Sequence, residues 1–360
     1  MNRQLDRRTF LQAAGAAAAL TSATLTTGHA QQPAAGPKNT LGISYSSYSV
    51  RWQAATADGQ LPRMIGAADF LKHAKKLGAA GVQTLVGEWT EAQSREIREL
   101  LDREGLFFEG QVGLPRLPAD RERFERQIQS AKAAGASIVR AVCLGGRRYE
   151  TFATDAEFAV FVQQSRAKLE QAEPIVKKHG MKLAIENHKD WRIGEMLELL
   201  KRLGSEWVGI NLDIGNSIAL LEDPLETVEA FAPLTFTTHF KDMGVRPYDE
   251  GFLLSEVPVG QGYLDLAKII AVCRKANPAV RFNLEMLTRD PLKVPCLTDR
   301  YWATMPAVPG RDLAHMLATV KAKAAAKLPA VAGLTQDQRI RYEEANVADS
   351  LTFARDKLGL

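Results

Sequence analysis

The sequence is short of cysteine, of sustained apolar runs and of charge imbalance, and each shortage excludes a class of protein. Among 360 residues there are three cysteines: Cys143, Cys273 and Cys296, widely separated and odd in number. That spacing argues against a disulfide framework and against zinc held by cysteine pairs. Cys143 lies in an apolar run and reads as a buried structural thiol. Past the amino terminus no segment is long and apolar enough to span a bilayer. The formal net charge is +4, and it falls to +2 if a leader carrying Arg3, Arg7, Arg8 and Asp6 is removed. Near neutrality gives no electrostatic ground for nucleic acid or an anionic membrane as partner. A glycine-rich phosphate loop is missing too. The first strand candidate runs into Ser44-Tyr-Ser-Ser-Tyr-Ser49, and Gly260-Gln-Gly262 lacks the third glycine and the strand-turn-helix setting of a dinucleotide site.

What is present begins with a leader. Asp6-Arg7-Arg8-Thr9-Phe10-Leu11 is a twin-arginine pattern, and the Ala-rich apolar stretch behind it is too short for a permanent membrane helix. Gly28-His29-Ala30 places small residues where a signal peptidase cuts. Residues 1–30 are therefore expected to be a signal peptide read by the twin-arginine export machinery, with the mature protein in the periplasm.

From Pro37 onward short β-branched runs alternate with amphipathic stretches. Strand candidates are Leu41–Val50, Gly81–Val86, Leu106–Val112, Ser137–Leu144, Met181–Glu186, Val208–Asp213, Leu234–His239 and Val280–Glu285. Helical patterns fill the seven intervals, and several end on a glycine suited to a left-handed cap, among them Gly105, Gly180 and Gly204. Eight strands with intervening helices predict a (β/α)8 barrel over residues 38–290. Residues 291–360 hold an irregular connection and two helical segments, Arg311–Lys327 and Gln336–Leu358, expected to pack on the barrel as an extension. That extension could also cover the site or support a homo-oligomer, and its residues leave both open.

Four strands end in polar groups that a buried run does not need: Glu186, Asp213, His239 and Glu285. In a parallel barrel these ends share one face, where chemistry is built. Three carboxylates and one imidazole suit Mn2+, Mg2+, Co2+ or Zn2+. Four protein ligands leave two positions on an octahedral ion, enough for the adjacent oxygens of an α-hydroxy ketone. Such chelation acidifies the α C–H by stabilising the enediolate, and Glu186 and Glu285, on strands separated by two others, are placed to act as base and conjugate acid. His188 and Asn216 point to the same side, either towards substrate hydroxyls or satisfied within their loops. Lys241 shares the inward direction of His239; it binds substrate, donates a proton, or pairs with Asp242 or a neighbouring glutamate. Arg140, inside an apolar strand, is expected to pair with a carboxylate. Tyr45, Tyr48 and Trp89 offer ring faces near the barrel mouth.

Leu-Ala-Ile-Glu186-Asn-His188, Asn-Leu-Asp213-Ile-Gly-Asn216, Thr-His239-Phe-Lys241-Asp242, Gly260-Gln-Gly262 with Asp265, and Asn-Leu-Glu285 together resemble the xylose isomerase-like TIM-barrel superfamily, in its sugar phosphate isomerase/epimerase branch. The likeness covers roughly Leu41 to Leu287. It implies a divalent metal on Glu186, Asp213, His239 and Glu285, with the two glutamates as acid and base. The His-Phe-Lys-Asp form looks more like inosose dehydratases and keto-sugar lyases than ketose epimerases, and export favours a 3-keto-glycoside lyase. The related AP endonucleases need further histidines for a trinuclear zinc cluster, and this chain has Asn216 where they place a ligand.

The expectation is thus a metal-dependent isomerase, epimerase or lyase acting on a keto-sugar or cyclitol, with ketose epimerase and inosose dehydratase chemistry as alternatives. Two other classes stay open: a metal-free Schiff-base aldolase using Lys241, and a non-catalytic periplasmic sugar-binding barrel.

Overall fold

The computed structural model describes residues 40–58 and 66–360. The expected signal peptide lies outside them, and among the described residues no helix is long and apolar enough to cross a membrane.

Eleven strands follow in chain order: β1 (Leu41–Ser44), β2 (Gly81–Leu85), β3 (Phe107–Gln111), β4 (Ile138–Ala141), β5 (Lys182–Glu186), β6 (Val208–Asp213), β7 (Thr235–Phe240), β8 (Asp242–Tyr248), β9 (Gly251–Val257), β10 (Arg281–Leu284) and β11 (Leu292–Val294). Eight close a parallel barrel in the order β1-β2-β3-β4-β5-β6-β7-β10, with β10 returning to β1. Helices fill the outer ring, as the eight apolar runs predict. Glycine ends three of them with positive φ, at Gly105, Gly180 and Gly204, where a side chain would strain the left-handed cap.

Apolar side chains of the strands meet those of the helices in one continuous core, which includes Leu41, Ile43, Phe108, Val139, Leu183, Ile210, Leu212 and Leu284. Each such side chain contributes about 1.5–3 kcal/mol by leaving water. Inward-facing positions are different. Gln83, Glu109, Asn211, Thr237 and Asn283 form a polar layer across the barrel. Glu109 Oε2 accepts from Thr237 Oγ1 at 2.7 Å, Asn283 Nδ2 at 2.9 Å and Gln83 Nε2 at 3.2 Å.

Two expectations need correction. The first strand stops at Ser44; Tyr45–Tyr48 is a 3-10 turn, and a helix runs over Ser49–Asp58. Distant partners hold this turn. Ser47 Oγ donates to Leu284 O at 2.8 Å and accepts from Met286 N at 3.0 Å. Glu343 accepts from Val50 N and Arg51 N at 2.7 and 3.1 Å, satisfying two donors at the helix start. The second concerns residues 241–257, which fall in none of the strand or helix candidates. They form a hairpin, β8 with β9, and β11 joins it in an antiparallel sheet of order β11-β9-β8. Pro247 is tolerated because β8 is an edge strand.

The extension completes both layers. Helix Gln336–Phe353 packs on β10 and the Tyr45–Tyr48 turn, and its Val347 and Leu351 enter the barrel core. Helix Gly310–Ala322, shorter than the expected Arg311–Lys327, covers the hairpin sheet with Met316 and Val320 in a second apolar cluster.

Candidate metal centre

Glu186 ends β5, Asp213 ends β6, His239 is the penultimate residue of β7, and Glu285 follows β10. Strand register sets Asp213 beside His239 and His239 beside Asn283. One ligand atom from each of the four lies within 4.8 Å of every other, and all four side chains are buried. His239 Nδ1 is the hub, 3.3 Å from Glu186 Oε2, 3.3 Å from Glu285 Oε1 and 3.8 Å from Asp213 Oδ2.

The orientation of each ligand is fixed from behind. His239 Nε2 and Gln83 Oε1 are 2.7 Å apart; the amide oxygen accepts, so Nε2 carries the hydrogen and Nδ1 turns to the carboxylates. Asp213 Oδ1 accepts from Gly215 N and Asn216 N, both at 2.9 Å, which leaves Oδ2 for the centre. Glu186 Oε2 accepts from Arg140 Nε at 2.6 Å and again from Nη2, and Oε1 accepts from Asn216 Nδ2 at 3.2 Å. Glu285 Oε2 accepts from Lys241 Nζ at 2.5 Å. Lys241 Nζ also stands 2.7 Å from Asp213 Oδ2.

One buried atom at the hub, His239 Nδ1, makes no hydrogen bond, and Asp213 Oδ2 is met there by the Lys241 ammonium alone. Buried polar atoms left unmatched are rare and call for an explanation. The electrostatics supply one. Burial alone would lower the His239 pKa, but Glu285 and Glu186 outweigh it and raise the value to about 9. The pocket attracts positive charge at the point where Nδ1 and three carboxylates converge. A hard divalent cation fits that donor set.

The other expected residues fall in different places. Arg140 pairs with Glu186 as expected. Asn216 sits between protein groups: its Nδ2 donates to Glu186, and its Oδ1 accepts from Lys189 Nζ. His188 is half-buried with Nδ1 3.1 Å from Gly146 O. Burial first and Lys189 second push its pKa down to about 3, so the ring is neutral at neutral pH. Lys241 pairs with Asp213 and Glu285 and not with Asp242. Asp242 instead gathers the Gly260-Gln-Gly262 loop, accepting from Gly260 N at 3.0 Å and Gly262 N at 2.9 Å. A Cβ at Gly262 would run into that carboxylate, which explains the glycine. Tyr48 packs on Phe70 and His73, and Trp89 on Phe108. Tyr45 accepts from Gln111 at 3.3 Å, and Gln111 is the register partner of Arg140.

Sequence reading passed over Gln83, Lys189, Glu256 and Arg289. Gln83 carried the same signal as Arg140, a polar residue inside an apolar strand. Lys189 directly follows the singled-out His188. Glu256 and Arg289 carried none, because their meeting depends on the hairpin. Arg289 Nη2 lies 2.6 Å from Glu256 Oε1, and Nε lies 3.1 Å from Oε2.

Comparison with known proteins agrees with this fold. The 3-oxo-isoapionate decarboxylase of Pectobacterium atrosepticum is 24% identical over 227 residues, 62% of this chain and 78% of that one. Among solved structures, a xylose isomerase-like TIM barrel protein from Mycobacterium smegmatis in complex with magnesium aligns at a TM-score of 0.51 and 18% identity, covering 77% of this chain and 97% of its own. D-psicose 3-epimerase in the presence of D-fructose aligns at 0.52 and 15% identity over 89% of this chain and all of its own. At such identities the structural likeness speaks for the fold alone. The model of the xylose isomerase-like TIM barrel family matches residues 71–304, more than half of the chain and a span that includes Glu186, Asp213, His239 and Glu285, and the protein belongs to that family.

Proposed function

We propose that the protein is a divalent-metal-dependent enzyme that moves a proton α to a carbonyl on a keto-sugar or cyclitol. The observation that carries this reading is the hub itself: His239 Nδ1 with Glu186 Oε2 and Glu285 Oε1 each at 3.3 Å and no hydrogen bond of its own. Glu186, Asp213, His239 and Glu285 would hold the ion. When bound, the ion polarises a carbonyl and acidifies the neighbouring C–H.

The two glutamates are unequal. Both oxygens of Glu186 are taken, Oε2 by Arg140 and Oε1 by Asn216. Burial would raise the pKa of either carboxyl, but Arg140 and then His239 at Glu186, and His239 and then Lys241 at Glu285, outweigh it and hold both well below the usual range, so their hydrogen bonds alone set them apart. Glu285 keeps Oε1 free of other donors, while Lys241 holds Oε2. We therefore assign the base to Glu285, with Glu186 chiefly a ligand. Lys241 stays protonated, because Asp213 and Glu285 outweigh the effect of burial and hold its pKa above the ordinary lysine value. A protonated amine is not a nucleophile, which speaks against a Schiff-base aldolase.

The decarboxylase relative and the epimerase neighbours act on sugar derivatives, as their names state. They support a carbohydrate substrate and leave isomerisation, epimerisation and elimination, including 3-keto-glycoside lysis, as outcomes of one proton transfer. The twin-arginine leader supports work in the periplasm. Incubating the Mn2+-supplied protein in D2O with 3-keto-glucosides and simple ketoses tests the reading. Deuterium at the α carbon is expected, and the product names the reaction; absence of label in every candidate would refute the proton transfer.

A further inference from the structure

Every cation around the ligands except one is paired with a carboxylate. Arg140 is held by Glu186, Lys241 by Asp213 and Glu285, and Arg289 by Glu256. Lys189 is the exception. It lies three residues past the end of β5, is buried, and donates to the neutral Asn216 Oδ1. Among the described residues no carboxylate oxygen lies within 4.0 Å of its Nζ.

An ammonium with three donors, one of them used, is costly to bury without a counter-charge. Its next neighbour in sequence does not supply one: Asp190 Oδ1 accepts from Trp191 N at 2.9 Å. The ammonium also lies close to the reaction centre, since the Asn216 amide that receives it bonds Glu186 through its other end.

The charge count sharpens the point. Three ligand carboxylates, Glu186, Asp213 and Glu285, are matched by three cations, Arg140, Lys241 and Lys189, and the Arg289–Glu256 pair is neutral. A divalent ion adds two positive charges to ligand carboxylates that are already matched; of the other buried carboxyls nearby, Asp242 is turned to the Gly260 and Gly262 amides and Asp190 to Trp191 N. A neutral sugar brings nothing to offset these charges; an anionic one does.

We infer that Lys189 receives a carboxylate of the substrate, so that the site takes a keto acid of the sugar class in preference to a neutral ketose. This rests on the metal-dependent reading above and names its substrate class. Lys189 is then a specificity residue: it reads the charged end while the metal ligands hold the carbonyl end. One ammonium with one fixed neighbour suits a monoanion, and Arg289, committed to Glu256, adds no second charge.

The test compares D-gluconate with D-glucitol, which differ only in a carboxylate against a hydroxymethyl group, by titration calorimetry on the full chain loaded with Mn2+. Gluconate is expected to bind about tenfold more tightly or better, the scale of one charged hydrogen bond. The preference should vanish in Lys189→Met, survive in Lys189→Arg, and vanish in Asn216→Asp, which gives Lys189 a carboxylate partner in place. Metal content and melting curves identify variants that have lost the fold, and Asn216→Asp carries the test if Lys189→Met does not fold. Equal affinities in the wild type, or no binding of gluconate, would overturn the inference. So would a preference that persists in Lys189→Met, because the metal alone would then be reading the carboxylate. If the protein takes up no Mn2+, the proposed function fails, while the same titration of metal-free protein still decides whether Lys189 selects anions.

Discussion

His239 Nε2 lies 2.7 Å from Gln83 Oε1, and this contact from the second barrel strand decides which imidazole nitrogen faces the carboxylates. The Gln83 amide is fixed in turn, since its Nε2 donates to Glu109 Oε2 at 3.2 Å and Asn211 Oδ1 at 3.3 Å. A metal ligand whose other nitrogen is held in this way needs no reorientation on binding. Gln83→Met removes the acceptor and frees the ring. Mn2+ affinity should fall about 10- to 100-fold with little change in far-UV circular dichroism; an unchanged affinity would show that the ring is positioned by other means.

Glu285 and Glu186 divide the work unequally in this account. At saturating Mn2+, Glu285→Gln should lower α-proton exchange by about 10²- to 10⁴-fold, the usual contribution of a positioned base. Glu186→Gln should lower it less, its effect lying mainly in metal affinity. The reverse order would transfer the base to Glu186.

Arg289 and Glu256 give the hairpin a pH signature. Burial would raise the Glu256 pKa, but Arg289 outweighs it and brings the value to about 2, against about 4.3 for an ordinary glutamate. A carboxyl depressed by folding stabilises fully above its unfolded pKa, and that contribution is lost as pH falls from about 4.3 to about 2. Arg289→Met should therefore be less stable than wild type at pH 6, by roughly 3 kcal/mol at most. The gap should close as pH drops below 4, measured by urea unfolding at each pH. A gap that is constant across the range would mean that the pair's charge contributes nothing.

Glu343 ties the carboxy-terminal helix to the first barrel turn through Val50 N and Arg51 N. Glu343→Ala leaves both donors without their acceptor and should lower unfolding free energy by about 1–3 kcal/mol. Two separate unfolding transitions in the wild type would contradict a carboxy-terminal helix built into the barrel.

These residues also show where sequence reading succeeds. Glu186, Asp213, His239 and Glu285 were legible because each breaks an apolar run at its carboxyl end, and parallel strands bring such ends to one face. Asp265 directly precedes a helical run, the place of a cap, and its side chain accepts from Lys268 N at 3.1 Å. The turn at Tyr45–Tyr48 was not, because its partners lie about 240 and 290 residues away and local pattern alone continues the strand. The β8–β9 hairpin left a readable trace, two alternating runs around Asp249-Glu250-Gly251. Its start, Lys241-Asp242, is a charged pair that interrupts the apolar alternation by which a strand is read. Lys189 was hidden for a different reason: a lysine in a loop is normally solvated, and only the folded chain shows this one buried against Asn216.

The central claim is that one divalent ion on Glu186, Asp213, His239 and Glu285 enables proton transfer. The most direct measurement is metal content by mass spectrometry together with α-proton exchange in D2O, before chelation, after it, and after Mn2+ is restored, in wild type and Asp213→Asn. The account predicts about one ion per chain, exchange that disappears with the ion and returns with it, and loss of both in Asp213→Asn. Exchange that continues unchanged in the fully chelated protein would contradict it.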